Sequence, residues 1–308
     1  MVNHTYTPDE IASMFKISKY TVYELIKRGE LTAFKVGNKM RIEHEEVERF
    51  KGNRTPSPKS LPRGPGNATF PNGRALYLAG SHDFLVEHLV KYTGDESAGI
   101  SIQPSYIGSI EGLLMLYRGS ADIAAMHLLD PVSHEYNLPF IRQLFVHEQI
   151  TVVRLASRKQ GFIVAKENPK KVTGFQDLVR PDVTMVNRQK GAGTRFLLDS
   201  FLANQSLNPA SINGYKTEEW THLGAAAHIS RGSADVAFGI QYAACQLGLD
   251  FIPVTVENFD LVFRWTPENR TALQHLLDLI HFTTFRDIVQ ELDGYDAAEL
   301  GSIIYEQH

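Results

Sequence analysis

The sequence predicts an α/β chain in two parts, a small winged helix-turn-helix head and a larger body of mainly parallel sheet. Three observations carry this. The first fifty residues hold two short amphipathic segments separated by three residues and followed by a Gly-Asn hairpin. Residues 52–73 contain nine Pro or Gly in 22 positions. From Arg74 onward, short apolar runs alternate with helical patterns, the signature of βα units.

Taken in order, the head begins with Thr7-Pro8-Asp9-Glu10, a capping box with Pro at the first helical position. Ile11, Ala12, Met14 and Phe15 continue at helical spacing, and Lys16-Ile17-Ser18 interrupts them. Ser18 is placed to cap a second helix, Lys19 to Arg28, whose apolar face is Val22, Leu25 and Ile26. Two short helices joined by a three-residue turn make a helix-turn-helix. Gly29 ends the second helix. Leu31 to Val36, Gly37-Asn38-Lys39 and Met40-Arg41-Ile42 then form a hairpin, here a wing. A last helix, about Glu43 to Phe50, turns Val47 and Phe50 inward.

In this order of cap, turn, wing and final helix, residues 5–51 resemble the excisionase/MerR-like winged helix-turn-helix family. The resemblance implies DNA binding, with the second helix in the major groove and the wing on the backbone or minor groove. It places Ser18, Lys19, Tyr20, Thr21 and Tyr23 on the reading helix, and Lys35, Asn38, Lys39 and Arg41 on the wing. Ser18 could serve as a cap alone. The domain boundaries that follow are 1–51 for the head, 52–73 for the linker and 74–308 for the body. The linker should be extended, spanning about 25 Å or more; the alternative is an arm packed on a dimer partner.

In the body, Ala75–Ala79, Gly99–Gln103 and Asp122–Met126 read as strands, with helices over Asp83–Tyr92 and Ile110–Arg118. Ile150–Leu155 and Gly161–Ala165 read as two further extended segments. Val183–Val186 and Ile212–Tyr215 are expected strands, followed by helices from Thr194 to Asn204 and after Thr221. Val236–Phe238, Phe251–Val254 and Leu261–Arg264 complete the strands. Helices are expected around Ala243-Ala244, over Glu268–His281 and over Phe285–Leu292.

The most informative stretch is Asn187-Arg188-Gln-Lys-Gly191-Ala192-Gly193-Thr194-Arg195. A basic side chain leads into a Gly-rich turn that opens a helix, which leaves backbone N–H groups at the positive end of the helix dipole. That is an anion cradle. Other strand ends carry capping residues too: Gly80-Ser81-His82-Asp83, Gly108-Ser109-Ile-Glu111, Met126-His127 and Thr221-His222-Leu-Gly224. Donors converging from both halves suit a tetrahedral oxyanion, which presents acceptors on all sides. In α/β folds ligands bind at such strand ends. The serines could equally be plain caps, and the glycines could serve close packing.

This body resembles the type II periplasmic-binding-protein fold, most closely its regulator-linked, molybdate-binding-like branch. The words that carry the resemblance are Ala79-Gly-Ser-His-Asp83, Gly108-Ser-Ile-Glu-Gly-Leu113, Ala121 to Asp130, Asn187 to Arg195 and Gly248 to Val254. It implies two lobes, about 74–155 with 260–308, and about 156–259. It implies a ligand shell of Ser81, Ser109, Arg188, Ala192, Gly193 and Thr194, with His127 as a pocket side chain. Ala192 stands where phosphate-binding members carry Ser. Asp83 and Glu111 lie close to the expected anion, where they would repel it unless they cap or pair elsewhere; His82 lies beside them.

Composition bounds the function. Residues 1–62 hold 11 Lys+Arg against 8 Asp+Glu, and the remainder 20 against 27. A basic head on an acidic body fits one DNA-contacting module. One cysteine, Cys245, excludes an intrachain disulfide; it sits in an Ala-rich stretch and is expected to be buried and inert. The twelve histidines show no metal-ligand spacing, so no metal or cofactor is expected. The polar N-terminus and the lack of a spanning apolar run indicate a cytoplasmic chain. No nucleophile elbow or Walker motif is present, so an enzyme is not expected. Together these readings describe a homodimeric, ligand-responsive transcription regulator that senses molybdate or tungstate and binds an operator. The alternatives are a sensor of another small anion or a zwitterion, an enzyme on the same fold, and a DNA-architecture factor.

Overall fold

The computed structural model describes residues 5–15, 22, 26, 31–36, 39–44, 46–47, 75–95 and 100–308. The chain divides into two compact units, Met1–Ala68 and Thr69–His308. The linker expected over 52–73 lies outside the described residues, as do Ser18, Lys19, Tyr20, Thr21, Tyr23 and Asn38.

In the head, α1 spans Pro8–Phe15. The capping box forms as its residue types dictate: the Thr7 amide donates to Glu10 Oε2 at 2.7 Å and the Glu10 amide donates to Thr7 Oγ1 at 3.3 Å. The wing is β2 (Phe34–Val36) paired antiparallel with β3 (Lys39–Glu43), and Lys35, Lys39 and Arg41 lie on these strands. A short β1 (Thr5–Tyr6), unforeseen in the sequence, adds to β3. Ile11, Val22, Leu31, Ile42 and Val47 form the core of the head.

The body is built on two long strands, β7 (Ile150–Val164) and β11 (Asp250–Arg264), antiparallel to each other over nearly their whole length. On one side of this pair lie β4 (Ala75–Gly80), β5 (Ser101–Tyr106) and β6 (Ile123–Met126), with β4 parallel to both neighbours. On the other lie β8 (Met185–Arg188), β9 (Glu218–Glu219) and β10 (Val236–Ile240), with β8 parallel to both neighbours. The sheet order is β5-β4-β6-β11-β7-β10-β8-β9. Each lobe therefore has its own parallel strands, and the long antiparallel pair threads both. Helices α2 (Phe84–Asp95), α3 (Ser109–Tyr117) and α4 (Leu138–Leu144) belong to the first lobe. Helices α5 (Gly193–Asn204), α6 (His222–Ser230) and α7 (Gln241–Gln246) belong to the second. The chain then returns to the first lobe through α8 (Arg270–Ile280), α9 (Thr283–Gln290), β12 (Tyr295–Asp296) and β13 (Ile303–Gln307), the last two pairing with β7.

Several expectations are corrected. The apolar runs at 150–155 and 161–165 are one strand, because Arg158 and Gln160 between them are buried and the pairing continues across them. The segments at 251–254 and 261–264 merge for the same reason, with register shifts at Pro253/Thr255 and Phe259/Asp260. Ile212–Tyr215 is a turn, with Gly214 at φ 78° against the Met185 carbonyl. Cys245 is exposed, since the short α7 buries only Ala243 and Ala244. Helix α4 and strands β12 and β13 were not expected from the pattern. No helix among the described residues is long and apolar enough to cross a membrane.

Candidate functional site

The segments that follow β4, β5, β6 and β8 meet at the junction between the lobes. After β4, Ser81 shares a 2.7 Å hydrogen bond with Ser109, the first residue of α3. Both are buried. Gly108 at φ 93° is the cap of that helix, so Ser109 is free of capping and its hydroxyl also accepts from the His127 amide at 3.3 Å. A Cβ at Gly108 would come within 2.7 Å of the Gly191 carbonyl, which accepts the Ile110 amide at 3.3 Å. The cradle loop of the second lobe is thus docked on the first lobe. Gly193 opens α5 directly against His127: a Cβ there would lie 2.5 Å from its carbonyl oxygen and 2.7 Å from its Nδ1. Only glycine permits that approach.

The centre of the site is an ion network that the sequence reading did not find. Arg158, in the middle of β7, bridges two buried carboxylates. It donates through Nε to Glu257 of β11 at 2.5 Å and through Nη1 to Asp83. Glu257 also accepts from Gln160 at 2.7 Å and from His127 Nδ1 at 2.8 Å. Asp83 accepts from Tyr295 at 2.7 Å and caps α2 through the Leu85 amide at 2.8 Å. Burial opposes ionisation of Glu257, yet Arg158 and His127 outweigh it and hold the carboxyl down at about 2. Burial lowers His127 despite Glu257, so the pair is a neutral imidazole donating to a carboxylate. Burial acts against the Arg158 cation too, but Glu257 and Asp83 raise it further.

Arg188 ends β8 and is also buried. It donates through Nε to the Glu219 carbonyl at 3.2 Å and through Nη2 to the Trp220 carbonyl at 2.8 Å. No carboxylate pairs with it among the described residues; burial, with Arg158 nearby, pushes it down to about 9. Four buried nitrogens around this point have no hydrogen-bond partner among the described residues: Arg188 Nη1, Arg158 Nη2, and both ring nitrogens of His222. His222 is the first residue of α6, which Thr221 caps by accepting the Gly224 amide at 2.9 Å. Burial holds His222 far below the usual histidine range, and Arg188, Arg158, His127 and His82 reinforce that. The acceptors Gln160 Oε1 and Gln189 Oε1 are likewise buried without a partner.

The structure therefore brings together Ser81, Ser109, His127, Arg188, Ala192, Gly193 and Thr194. Thr194 joins the centre through its hydroxyl, which accepts from Gln160 at 3.2 Å. Of the acidic residues close by in sequence, Asp83 caps and pairs as described, while Glu111 is exposed. His82 is bonded to Glu87 at 2.8 Å and packs edge-on to Tyr106. Arg158, Gln160, Glu257 and His222 are the additions that the sequence reading missed.

Comparison with known proteins agrees with this architecture. Residues 91–281 match the family model described as PBP superfamily domain, and residues 5–55 match one described as helix-turn-helix domain. Protein YvgK of Bacillus subtilis (strain 168) is 33% identical over 305 residues, covering 98% of both chains. Among solved structures, a Clostridium perfringens protein described as a phosphate ABC-transporter substrate-binding protein, with phosphate bound, aligns at a TM-score of 0.54. It is 15% identical, and the match covers 72% of this chain and 99% of that one. The tungstate ABC transporter structure from Geobacter sulfurreducens aligns at a TM-score of 0.52 and 12% identity, covering 71% of this chain and 98% of that one. At these identities the structural likeness is one of fold.

Proposed function

The chain belongs to the PBP superfamily and carries a helix-turn-helix domain; from that premise we propose that it is a ligand-responsive transcription regulator whose body binds a small tetrahedral oxyanion, with molybdate or tungstate as the leading ligands. The body binds and does not catalyse. The observation that carries the reading is the group of buried donors without partners among the described residues, Arg188 Nη1, Arg158 Nη2 and the His222 ring, beside Ser81, Ser109 and the start of α5. Buried donors cost stability when unpaired and reward a ligand that offers acceptors. All four oxygens of Asp83 and Glu257 already accept from Leu85, Arg158, Tyr295, Gln160 or His127. This favours an acceptor-only dianion over a ligand with a cationic group.

Two features support a second ligand, hydrogenphosphate: the free acceptors Gln160 Oε1 and Gln189 Oε1 could take its hydroxyl. Closure of the lobes on the anion would alter operator affinity by way of a homodimer in the cytoplasm. The coupling must come from unequal affinity of the anion for the open and closed forms. The test is thermal melting of the full chain with molybdate, tungstate, sulfate and phosphate in turn. Selective stabilisation by the first two is expected. A gel shift on the upstream DNA of the protein's own gene, with and without tungstate, tests the coupling. No melting shift with any of the four would refute the oxyanion reading.

A further inference from the structure

His222 is the residue around the cleft whose chemistry is least explained by packing. It is 1% exposed, yet neither ring nitrogen has a hydrogen-bond partner among the described residues. A histidine kept only for its shape would leave two polar atoms dry at a cost of about 1–3 kcal/mol each. Its ring rests on β10, where a Cβ at Gly239 would meet Nδ1 at 3.4 Å.

The buried charges around the ring nearly cancel. Arg158 and Arg188 are positive, and Asp83 and Glu257 are negative. The titratable groups that act on His222 are Arg188 on β8, Arg158 on β7, His127 after β6 and His82 after β4; β10, on which the ring rests, adds none. Glu219 on β9, together with Asp83 and Glu257, acts in the opposite sense on the neighbouring Arg188. A dianion placed among these groups would carry the local sum to two negative charges. One additional cation would offset half of that, and His222 is the neutral, unpartnered base on the spot.

We propose that His222 is a direct ligand of the bound oxyanion and takes up a proton as the anion enters, so that the body senses a dianion together with one proton. The inference rests on the oxyanion reading above. Burial, reinforced by Arg188 and Arg158, holds the imidazole far below the usual histidine range and so neutral at pH 7. An anion in contact reverses the balance of charges and raises the ring's basicity. The sign follows from linkage: the bound state holds more protons than the free state between the two titration points, so affinity rises as pH falls through that window.

The experiment is calorimetric titration of the full chain with sodium tungstate at about pH 6.5, 7.5 and 8.5, in buffers of different ionisation heat. Wild type should take up close to one proton per anion, and affinity should fall by up to about tenfold for each pH unit. His222→Gln keeps a neutral donor and should bind with no proton uptake and no pH dependence between about pH 6.5 and 7.5, leaving only the part of a proton that Arg188 takes up near 8.5. His222→Phe removes the donor and should weaken binding by at least about tenfold. Anion binding by wild type without proton uptake overturns the inference and leaves the oxyanion reading intact, as does a Gln variant with the wild-type pH slope. Should the variants fail to fold, the wild-type proton count decides alone. If wild type binds none of tungstate, molybdate, sulfate and phosphate, the oxyanion reading falls and this inference with it.

Discussion

Arg188→Met should make the ligand-free protein more stable and blind to the anion. Arg188 is a cation that bonds directly to no carboxylate among the described residues, and burial, with Arg158 nearby, pushes it down to about 9. A base whose folded titration point lies below its unfolded one destabilises the fold fully at pH values below both, so the entire cost is present at pH 7. At about 1.4 kcal/mol per pH unit, that cost is on the order of 5 kcal/mol. Met fills much of the same volume without the charge. Against this gain stands the loss of the donor to the Trp220 carbonyl, about 1 kcal/mol; the Glu219 carbonyl keeps the Gln189 amide at 3.1 Å. Replacements of buried charge by apolar groups have stabilised other proteins by about 1–4 kcal/mol. The balance of about 4 kcal/mol would raise Tm by roughly 8–16 °C in a unit of this size. The same change removes the charge that the anion would neutralise, and should weaken tungstate binding by about 10²–10⁴-fold. Differential scanning calorimetry with and without tungstate reads both effects. A variant that melts lower than wild type without anion, and still gains stability when tungstate is added, would refute the reasoning.

Other parts of the site give separate predictions. Glu257 is held at about 2 against an ordinary 4.5, so it contributes about 3 kcal/mol above pH 4.5 that is lost as pH falls through about 2; Glu257→Gln should remove this acid-dependent part, as read by chemical denaturation between about pH 6 and 3. Gly193→Ala sets a methyl 2.5 Å from the His127 carbonyl, and should lower Tm and weaken tungstate binding together, at a cost of about 1–3 kcal/mol. On the wing, Arg41→Ala should reduce operator affinity and lower the slope of log affinity against log salt by about one, as a phosphate contact would; an unchanged slope would take Arg41 off the DNA.

What could be read from the sequence divides along the reach of each signal. Thr7 and Glu10 announce α1 because a capping box is local, and both of its hydrogen bonds form. Ser81, Ser109, Arg188 and Thr194 were legible because strand-to-helix turns are short and their residue types are characteristic. Arg158, Gln160 and Glu257 were not, because they sit mid-strand, between apolar runs taken for separate elements. A polar interval in a long β pattern has two meanings, a loop or a buried site, and only the partner strand decides. For β7 the partner is β11, about a hundred residues away, and the two polar intervals face each other there: Gln160 opposite Thr255, Arg158 opposite Glu257. His222 was passed over because one histidine at a helix start carries no spacing to test. The burial of Asp83 could not be separated from plain capping until Arg158 was placed beside it.

The order of strands along the chain has a practical corollary. The second lobe is an excursion that leaves by β7 and comes home by β11, while β4 at one extremity and β13 at the other both belong to the first. A dye attached to the excursion, for instance at the exposed Cys245, would therefore label the second lobe alone and leave both ends of the body untouched.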